Sequence, residues 1–187
     1  MNTANTPKTR YSTVAILLHW ILGAAIVGIF LVGLYMADLP FSPTRLKLFN
    51  WHKWAGMSVL ILSVLRLLWR LTHPAPALPA RIANAMPTWQ KWAHEGTHIA
   101  LYALFFVVPL IGWTYSSAAG FSIVLFGHIP LPDLVGPDKA LAALIKPWHA
   151  LSAYGLAALV VLHVAAAVKH QVIDRDGLIE RMIPGRG

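Results

Sequence analysis

Four long runs of apolar residues dominate the chain, and short segments rich in turn-forming and helix-breaking residues separate them. Each run holds enough uncharged residues to cross a hydrocarbon layer of roughly 30 Å. Backbone polar groups inside lipid must hydrogen-bond to each other, and a helix achieves this within one segment. The pattern therefore predicts four transmembrane helices, at about residues 11–37, 49–71, 91–117 and 146–171.

The connections between these runs indicate how the helices are arranged. The first contains Pro40 and Pro43, and the second, at residues 73–79, contains three prolines, so neither can continue a helix. The third, at about residues 120–144, is longer and mildly apolar, which would allow it to lie along the interface and cover part of the protein. We predict an all-α integral membrane protein, a four-helix up-and-down bundle that forms one membrane domain over residues 1–187.

Composition agrees with this prediction, because 57% of the residues are hydrophobic and 12% are charged, unlike an ordinary soluble protein. The net charge of +8 does not indicate nucleic acid binding, since the basic residues lie at the ends of the apolar runs and form no single stripe.

The basic residues also predict the orientation of the chain in the membrane. Ten of them lie near the N-terminus, the second connection and the C-terminus: Lys8, Arg10, Arg66, Arg70, Arg81, Lys91, Lys169, Arg175, Arg181 and Arg186. Five lie on the other side: Arg45, Lys47, Lys53, Lys139 and Lys146. This bias predicts that both termini are cytoplasmic.

The chain has no cysteine but nine histidines. The lack of cysteine excludes disulfides, iron-sulfur clusters, thiolate zinc sites and covalently attached c-type haem. Histidine is then the most abundant residue that could hold a cofactor, and ionisable groups at membrane depth usually serve a pathway, a partner or a cofactor. Apart from His170 at the very end of the last span, six histidines fall in the predicted spans: His19, His52, His94, His98, His149 and His163.

Two of these histidines share one face of the last span at two depths. His149 and His163 are 14 residues apart, which in an α-helix is about 21 Å along the axis and about 40° around it. In an antiparallel bundle His163 would meet His19 near the cytoplasmic end, and His149 would meet His52 near the outer end. Two facing pairs suit two six-coordinate b-type haems, with one imidazole on each side of each iron.

Other residues support this hypothesis. Gly23 and Gly56 each follow a proposed ligand by four residues, where a flat macrocycle needs close backbone approach, although both could simply pack helices. Arg66 lies at the depth of the inner pair and could bind a haem propionate or act as a cytoplasmic-side anchor. His94 and His98 have the i, i+4 spacing of a metal site without an obvious third ligand. We expect His98 to pack near the inner haem or to bond a propionate.

An ordered set of short motifs resembles the bacterial cytochrome b561 family, and also the cytochrome b subunits of nickel-iron hydrogenase and formate dehydrogenase. The similarity covers nearly the whole chain. The motifs are Arg10-Tyr11 with Leu18-His19-Trp20, residues 50–56 (NWHKWAG), residues 65–70 (LRLLWR), Trp148-His149 with His163, and residues 169–176 (KHQVIDRD).

The resemblance implies a four-helix, dihaem b-type cytochrome of the bacterial inner membrane that exchanges electrons with ubiquinone, and some members look like superoxide oxidases. It implies the same ligand pairs, His19 with His163 and His52 with His149. The family tail normally has two adjacent histidines, where this chain has His170-Gln171.

We therefore expect an oxidoreductase that transfers single electrons between a periplasmic donor, such as superoxide, and ubiquinone, with no catalytic role for a protein side chain. The five outer basic residues would attract an anionic donor. His170 and Asp174 are candidates for binding the quinone headgroup. Two alternatives stay open: a haem-bearing membrane anchor for a dehydrogenase or hydrogenase partner protein, and a histidine-lined metal transporter, which the lack of intramembrane carboxylates disfavours.

Overall fold

The structure is a computed structural model that describes residues 10–184. Four long helices are present: α1 (Thr13–Ala37), α2 (Pro43–Thr72), α4 (Thr88–Ala118) and α5 (Lys139–Lys169). The short helix α3 (Ala80–Ala85) lies between α2 and α4. Strands β1 (Val124–Leu125) and β2 (Ile129–Pro130) form an antiparallel hairpin. A π-helical turn (His170–Asp174) extends α5, and a 3-10 turn (Ile179–Met182) follows it.

The four long helices are long and apolar enough to cross a membrane, α5 together with its π-helical turn. Many large apolar side chains on them face outward, among them Leu17, Ile61, Ile99 and Val161. An outward-facing apolar surface is what lipid requires, because hydrocarbon chains replace water as the solvent. The predicted all-α membrane bundle of four helices is confirmed.

Polar residues at the helix starts explain why two helices begin earlier than the apolar pattern predicts. α2 begins at Pro43 rather than near residue 49, and the Ser42 hydroxyl caps it by accepting a hydrogen bond from the Arg45 N–H. α5 begins at Lys139 rather than near residue 146, because the Asp138 carboxylate accepts two N–H groups of its first turn. A polar first turn is helical without being apolar, so hydropathy alone does not detect it.

Successive long helices pack side by side, α1 with α2, α2 with α4 and α4 with α5, and α5 returns to α1. All four contribute to one buried apolar cluster, which consists of Leu22, Ile26, Val59, Leu101 and Leu156. Leu156 lies seven residues from both His149 and His163. The apolar cluster therefore fills the middle of the bundle, between the two histidine levels.

The third connection forms an ordered cover over one end of the bundle, which we call the hairpin end. The indole N–H of Trp54 donates to the Val124 carbonyl at 2.7 Å, and that of Trp113 donates to the Pro132 carbonyl at 3.1 Å. Ile123 and Leu125 are buried against Met57 of α2. These contacts fix the hairpin on α2 and α4.

Residues 175–184 cross the opposite end, which we call the terminal end, and we name this segment the C-terminal strap. Arg10 donates to the Ile183 carbonyl at 2.7 Å, and the Trp20 indole donates to the Met182 carbonyl at 2.7 Å. Arg181 donates to the Pro76 and Ala77 carbonyls at 2.8 and 3.0 Å. The strap thus ties α1 to the connection between α2 and α4.

Candidate functional site

The bundle brings four of the six histidines in its long helices into two facing pairs. The rings of His52 on α2 and His149 on α5 have centroids 6.1 Å apart, at an interplanar angle of 88°. The rings of His19 on α1 and His163 on α5 are also 6.1 Å apart, at 71°. The first pair lies at the hairpin end and the second at the terminal end, so the structure makes both pairings that the 14-residue spacing predicts.

The ring separation in both pairs fits two ligands of one metal ion. An ion held at about 2.0–2.1 Å by one nitrogen of each of two facing imidazoles leaves their centroids about 6 Å apart. Each pair therefore has a spacing that would suit two imidazole ligands of one haem iron.

The orientation of His149 also fits metal binding. Its Nδ1 lies 3.1 Å from the Val108 carbonyl of α4, and since a carbonyl can only accept, Nδ1 carries the hydrogen. The other ring nitrogen is then unprotonated and available as a ligand. Metal-binding histidines usually donate their second ring N–H to a carbonyl or carboxylate in this way.

Two glycines that the sequence analysis did not select lie against the hairpin-end pair. A Cβ atom at Gly112 would lie 2.8 Å from Cε1 of His149, and one at Gly33 would lie 3.1 Å from Cε1 of His52. By contrast, a Cβ at Gly23 would meet nothing within 4 Å, and one at Gly56 would make an ordinary contact with Ile29. A signal was present, because Gly33 follows His19 by 14 residues and Gly112 follows His98 by 14.

Arg66 lies at the level of the terminal-end pair, close enough to interact electrostatically with His19 and His163. Its Nε donates to the Tyr102 hydroxyl at 3.1 Å. Its Nη1 is buried and has no hydrogen-bond partner. A buried guanidinium nitrogen without a protein partner is suited to bind a carboxylate, such as a haem propionate.

His98 and His94 extend the terminal-end pair towards the surface. The His98 ring lies edge-on to that of His163 at 5.2 Å, and the His94 ring lies 4.4 Å from that of His98. Nδ1 of His98 is bonded to the His94 carbonyl at 2.7 Å, which fixes the ring on its own helix. Among residues 10–184, no third ligand joins this pair into a metal-binding group.

His170 and two aspartates form a cluster at the end of α5. Nδ1 of His170 lies 2.6 Å from a carboxylate oxygen of Asp176 and 3.1 Å from one of Asp174. Lys169 pairs with Asp174 at 2.6 Å. The cluster brings together both residues predicted to bind quinone and adds Asp176, which also accepts the Leu178 N–H of the strap.

Five basic residues lie at the hairpin end, as the topology predicts: Arg45, Lys47, Lys53, Lys139 and Lys146. Lys47 lies over the Trp51 ring, and Lys53 donates to the Phe121 carbonyl at 3.4 Å. Within the described part of the chain, none of the five forms an ion pair with a carboxylate. Basic residues at this end outnumber acidic ones five to three, the acids being Asp38, Asp133, which interacts electrostatically with Lys53, and Asp138.

Comparison with known proteins identifies the family of the chain. The sequence pattern of the prokaryotic cytochrome b561 family matches residues 10–185. Cytochrome b561 homolog 2 of Escherichia coli (strain K12) is 31% identical over 184 residues, which cover 98% of this chain and 95% of the relative. Cytochrome b561 homolog 1 of the same organism is 31% identical over 181 residues, 95% of this chain and 98% of the relative. A Yersinia pestis protein named "Probable superoxide oxidase CybB" is 29% identical over 179 residues, 94% of this chain and 96% of the relative.

Proposed function

Because the chain belongs to the prokaryotic cytochrome b561 family and is therefore a bacterial membrane b-type cytochrome of electron transfer, we propose that it binds two haem b groups. It passes single electrons from a donor at the hairpin end to ubiquinone at the terminal end. One observation carries this proposal: two facing imidazole pairs lie at two levels of the bundle, each with a ring separation of 6.1 Å.

His52 and His149 are the proposed iron ligands at the hairpin end, and His19 and His163 are those at the terminal end. When bound, each haem supplies one-electron redox chemistry, and no bond-making step is assigned to a protein side chain. The protein holds the ligands, excludes water and sets the local charge. Gly23 and Gly56 are the residues proposed to accommodate the macrocycle. Open space beside Gly23 supports its role, whereas a Cβ at Gly56 would make an ordinary contact with Ile29.

At the terminal end, Arg66 would pair with the negative charge of a haem propionate, because its buried Nη1 has no protein partner. His98 lies beside His163 and offers a second contact to the same group. Between the two levels, the buried cluster around Leu156 keeps the path dry. A dry apolar layer limits how much water and polar groups must rearrange when an electron crosses it, and it keeps ions out.

The His170 cluster is the proposed ubiquinone site. Its carboxylates accept the hydrogen bond from Nδ1 of the imidazole, and when the ring is protonated its Nε2–H can donate to a quinone oxygen. Asp174 and Asp176 connect this imidazole to the surface, from which the reduction of quinone to quinol takes up two protons. Residue 171 is glutamine here, so His170 is the single imidazole of this segment.

Superoxide is the proposed electron donor, which the name of the Yersinia pestis relative supports. Two superoxide anions each release one electron and become dioxygen, and the two electrons with two protons convert ubiquinone to ubiquinol. The excess of basic over acidic residues at the hairpin end would attract this anion. The excess of basic residues at the terminal end supports a cytoplasmic location for both termini and a periplasmic hairpin end.

The direct test uses the purified full-length chain, expressed with ample haem supply. A reduced-minus-oxidised spectrum should show b-type bands and about two haems per chain. In vesicles that contain ubiquinone, superoxide generated outside should reduce the quinone, and superoxide dismutase should abolish the reaction. A colourless protein would reject the cytochrome assignment. Quinone reduction that requires a co-purifying dehydrogenase or hydrogenase subunit would instead favour the membrane-anchor alternative.

A further inference from the structure

Tyr102 on α4 makes two contacts with the Arg66 guanidinium of α2. Its hydroxyl oxygen accepts a hydrogen bond from Nε of Arg66 at 3.1 Å. Its ring lies beneath the same guanidinium, with 5.7 Å between the guanidinium carbon and the ring centroid. One aromatic side chain therefore fixes both the position and the direction of the arginine.

No acidic side chain of the described residues balances the charge of this corner. Nη1 of Arg66 is buried without a partner, and no Asp or Glu among residues 10–184 forms an ion pair with it. Arg66 is half-buried, and a partly desolvated guanidinium without a counter-charge favours the binding of an anion. The Tyr102 hydroxyl, having accepted from Arg66, still has its own hydrogen to donate.

This corner lies beside the terminal-end pair. Tyr102 follows His98 by four residues on α4, which places both on one face of that helix. The His98 ring is 5.2 Å from that of His163. Arg66 interacts electrostatically with both His19 and His163. An anion held by Arg66 and Tyr102 would therefore lie within electrostatic range of the two imidazoles.

We propose that Arg66 and Tyr102 together form a carboxylate-binding corner, in which Tyr102 orients Arg66 and donates its hydroxyl hydrogen to the same carboxylate, a propionate of the terminal-end haem. This inference rests on the proposed function, because it requires haem at His19 and His163. It assigns to Tyr102 a role that its position in the sequence did not indicate.

The corner has a measurable electrostatic consequence. Reduction adds one negative charge near the propionate, so donors that neutralise the carboxylate favour the reduced form of the nearby iron. Removing the hydroxyl takes away one donor directly and leaves the guanidinium less well directed. The terminal-end potential should therefore fall, and the hairpin-end potential should not change.

The test is a redox titration of Tyr102→Phe in the full-length holoprotein, repeated in a His52→Ala background that retains only the terminal-end haem. The expected result is a shift of about tenfold in the reduction equilibrium towards the oxidised form, equivalent to about 59 mV for one electron. Tyr154→Phe is the matched control, because Tyr154 packs edge-on against Phe30, away from the corner.

A double-mutant cycle separates the proposed role from simple packing. In an Arg66→Met background, Tyr102→Phe should produce a clearly smaller shift, since the guanidinium that it orients is gone. An unchanged terminal-end potential in Tyr102→Phe, or an equal shift in both backgrounds, would overturn the inference. Weaker retention of the terminal-end haem alone would support it, whereas equal loss of both haems would count against it as general destabilisation.

The two proposals fail differently. If the wild-type chain binds two haems and only the Tyr102 result is negative, the carboxylate-binding corner is wrong and the dihaem function stands. If the wild type binds no haem at His19 and His163, both proposals are wrong.

Discussion

The imidazole of His149 packs directly on the backbone of α4 at Gly112, where a Cβ atom would lie 2.8 Å from Cε1 of the ring. His52 has the same relationship to Gly33 of α1, at 3.1 Å. The two helices that supply no ligand at the hairpin end thus hold both rings of that pair. Such close contacts constrain ring rotation, because packed interiors yield little to an added methyl group.

Gly112→Ala should selectively disturb the hairpin-end pair. The added methyl group must displace the His149 ring, which weakens its bond to iron and lowers the haem content from two towards one per chain. Haem counting and electron paramagnetic resonance of the ferric protein would detect the change. Gly96→Ala on the same helix is the control, because a Cβ there meets nothing within 4 Å. Equal haem loss in both variants would contradict this role.

Removing one ligand from each pair should remove one haem at a time. His52→Ala leaves the pair of His19 and His163 intact, and His163→Ala leaves that of His52 and His149. Each variant should therefore contain about one haem per chain, with a different residual midpoint potential. His128→Ala, which changes an exposed residue of the hairpin tip, is the control and should retain two. Two haems in either ligand variant would reject the pairing.

Helix number was predictable from the apolar pattern, and the histidine pairs were predictable from the 14-residue spacing together with an antiparallel order of the helices. The 14-residue spacing of His149 and His163 places them on one face at two depths, whatever the neighbouring helices do. The contacts of Gly33 and Gly112 were not predicted, since they depend on how closely two helices approach. The strap contact between Trp20 and Met182 joins residues 162 positions apart, so no local sequence pattern predicts it.

Electrostatic attraction of superoxide should depend on the basic residues of the hairpin end. Changing Lys47 and Lys53 to glutamine should lower superoxide-driven quinone reduction by about tenfold at low salt, since a charged surface raises association rates by that order or more. The rates of variant and wild type should converge at high salt, where charges are screened. Lys91→Gln at the terminal end is the control. An unchanged rate at low salt would exclude steering.

Quinone reduction should depend on the His170 cluster independently of the haems. His170→Gln removes the imidazole that Asp174 and Asp176 hold, and it should slow quinone reduction by about 10²-fold, the typical contribution of a positioned proton donor. Haem content and haem reduction by dithionite should stay at wild-type levels. Gln171→Ala tests the neighbouring position and should have little effect. Normal quinone kinetics in His170→Gln would place the quinone site elsewhere.

The C-terminal strap should be held mainly by Arg181, whose guanidinium is buried, with the residue 9% exposed, and donates to the Pro76 and Ala77 carbonyls. Arg181→Ala should destabilise the strap by about 1.5–3 kcal/mol, the range for hydrogen bonds from a charged group. Amide hydrogen exchange at residues 177–183 would then be faster by about tenfold or more, while exchange in the middle of α5 stays unchanged.

The effect should reach the terminal-end pair through Trp20. Its indole donates to the Met182 carbonyl, and its ring lies 5.5 Å from that of His19. A loosened strap releases that indole and admits water to the His19 side of the bundle, so the terminal-end haem should become the more readily lost of the two. Arg175→Ala is the control, because the one hydrogen bond of this exposed side chain within residues 10–184 goes to the Val172 carbonyl of its own turn. Unchanged exchange in Arg181→Ala would show that Arg10 and Trp20 alone hold the strap.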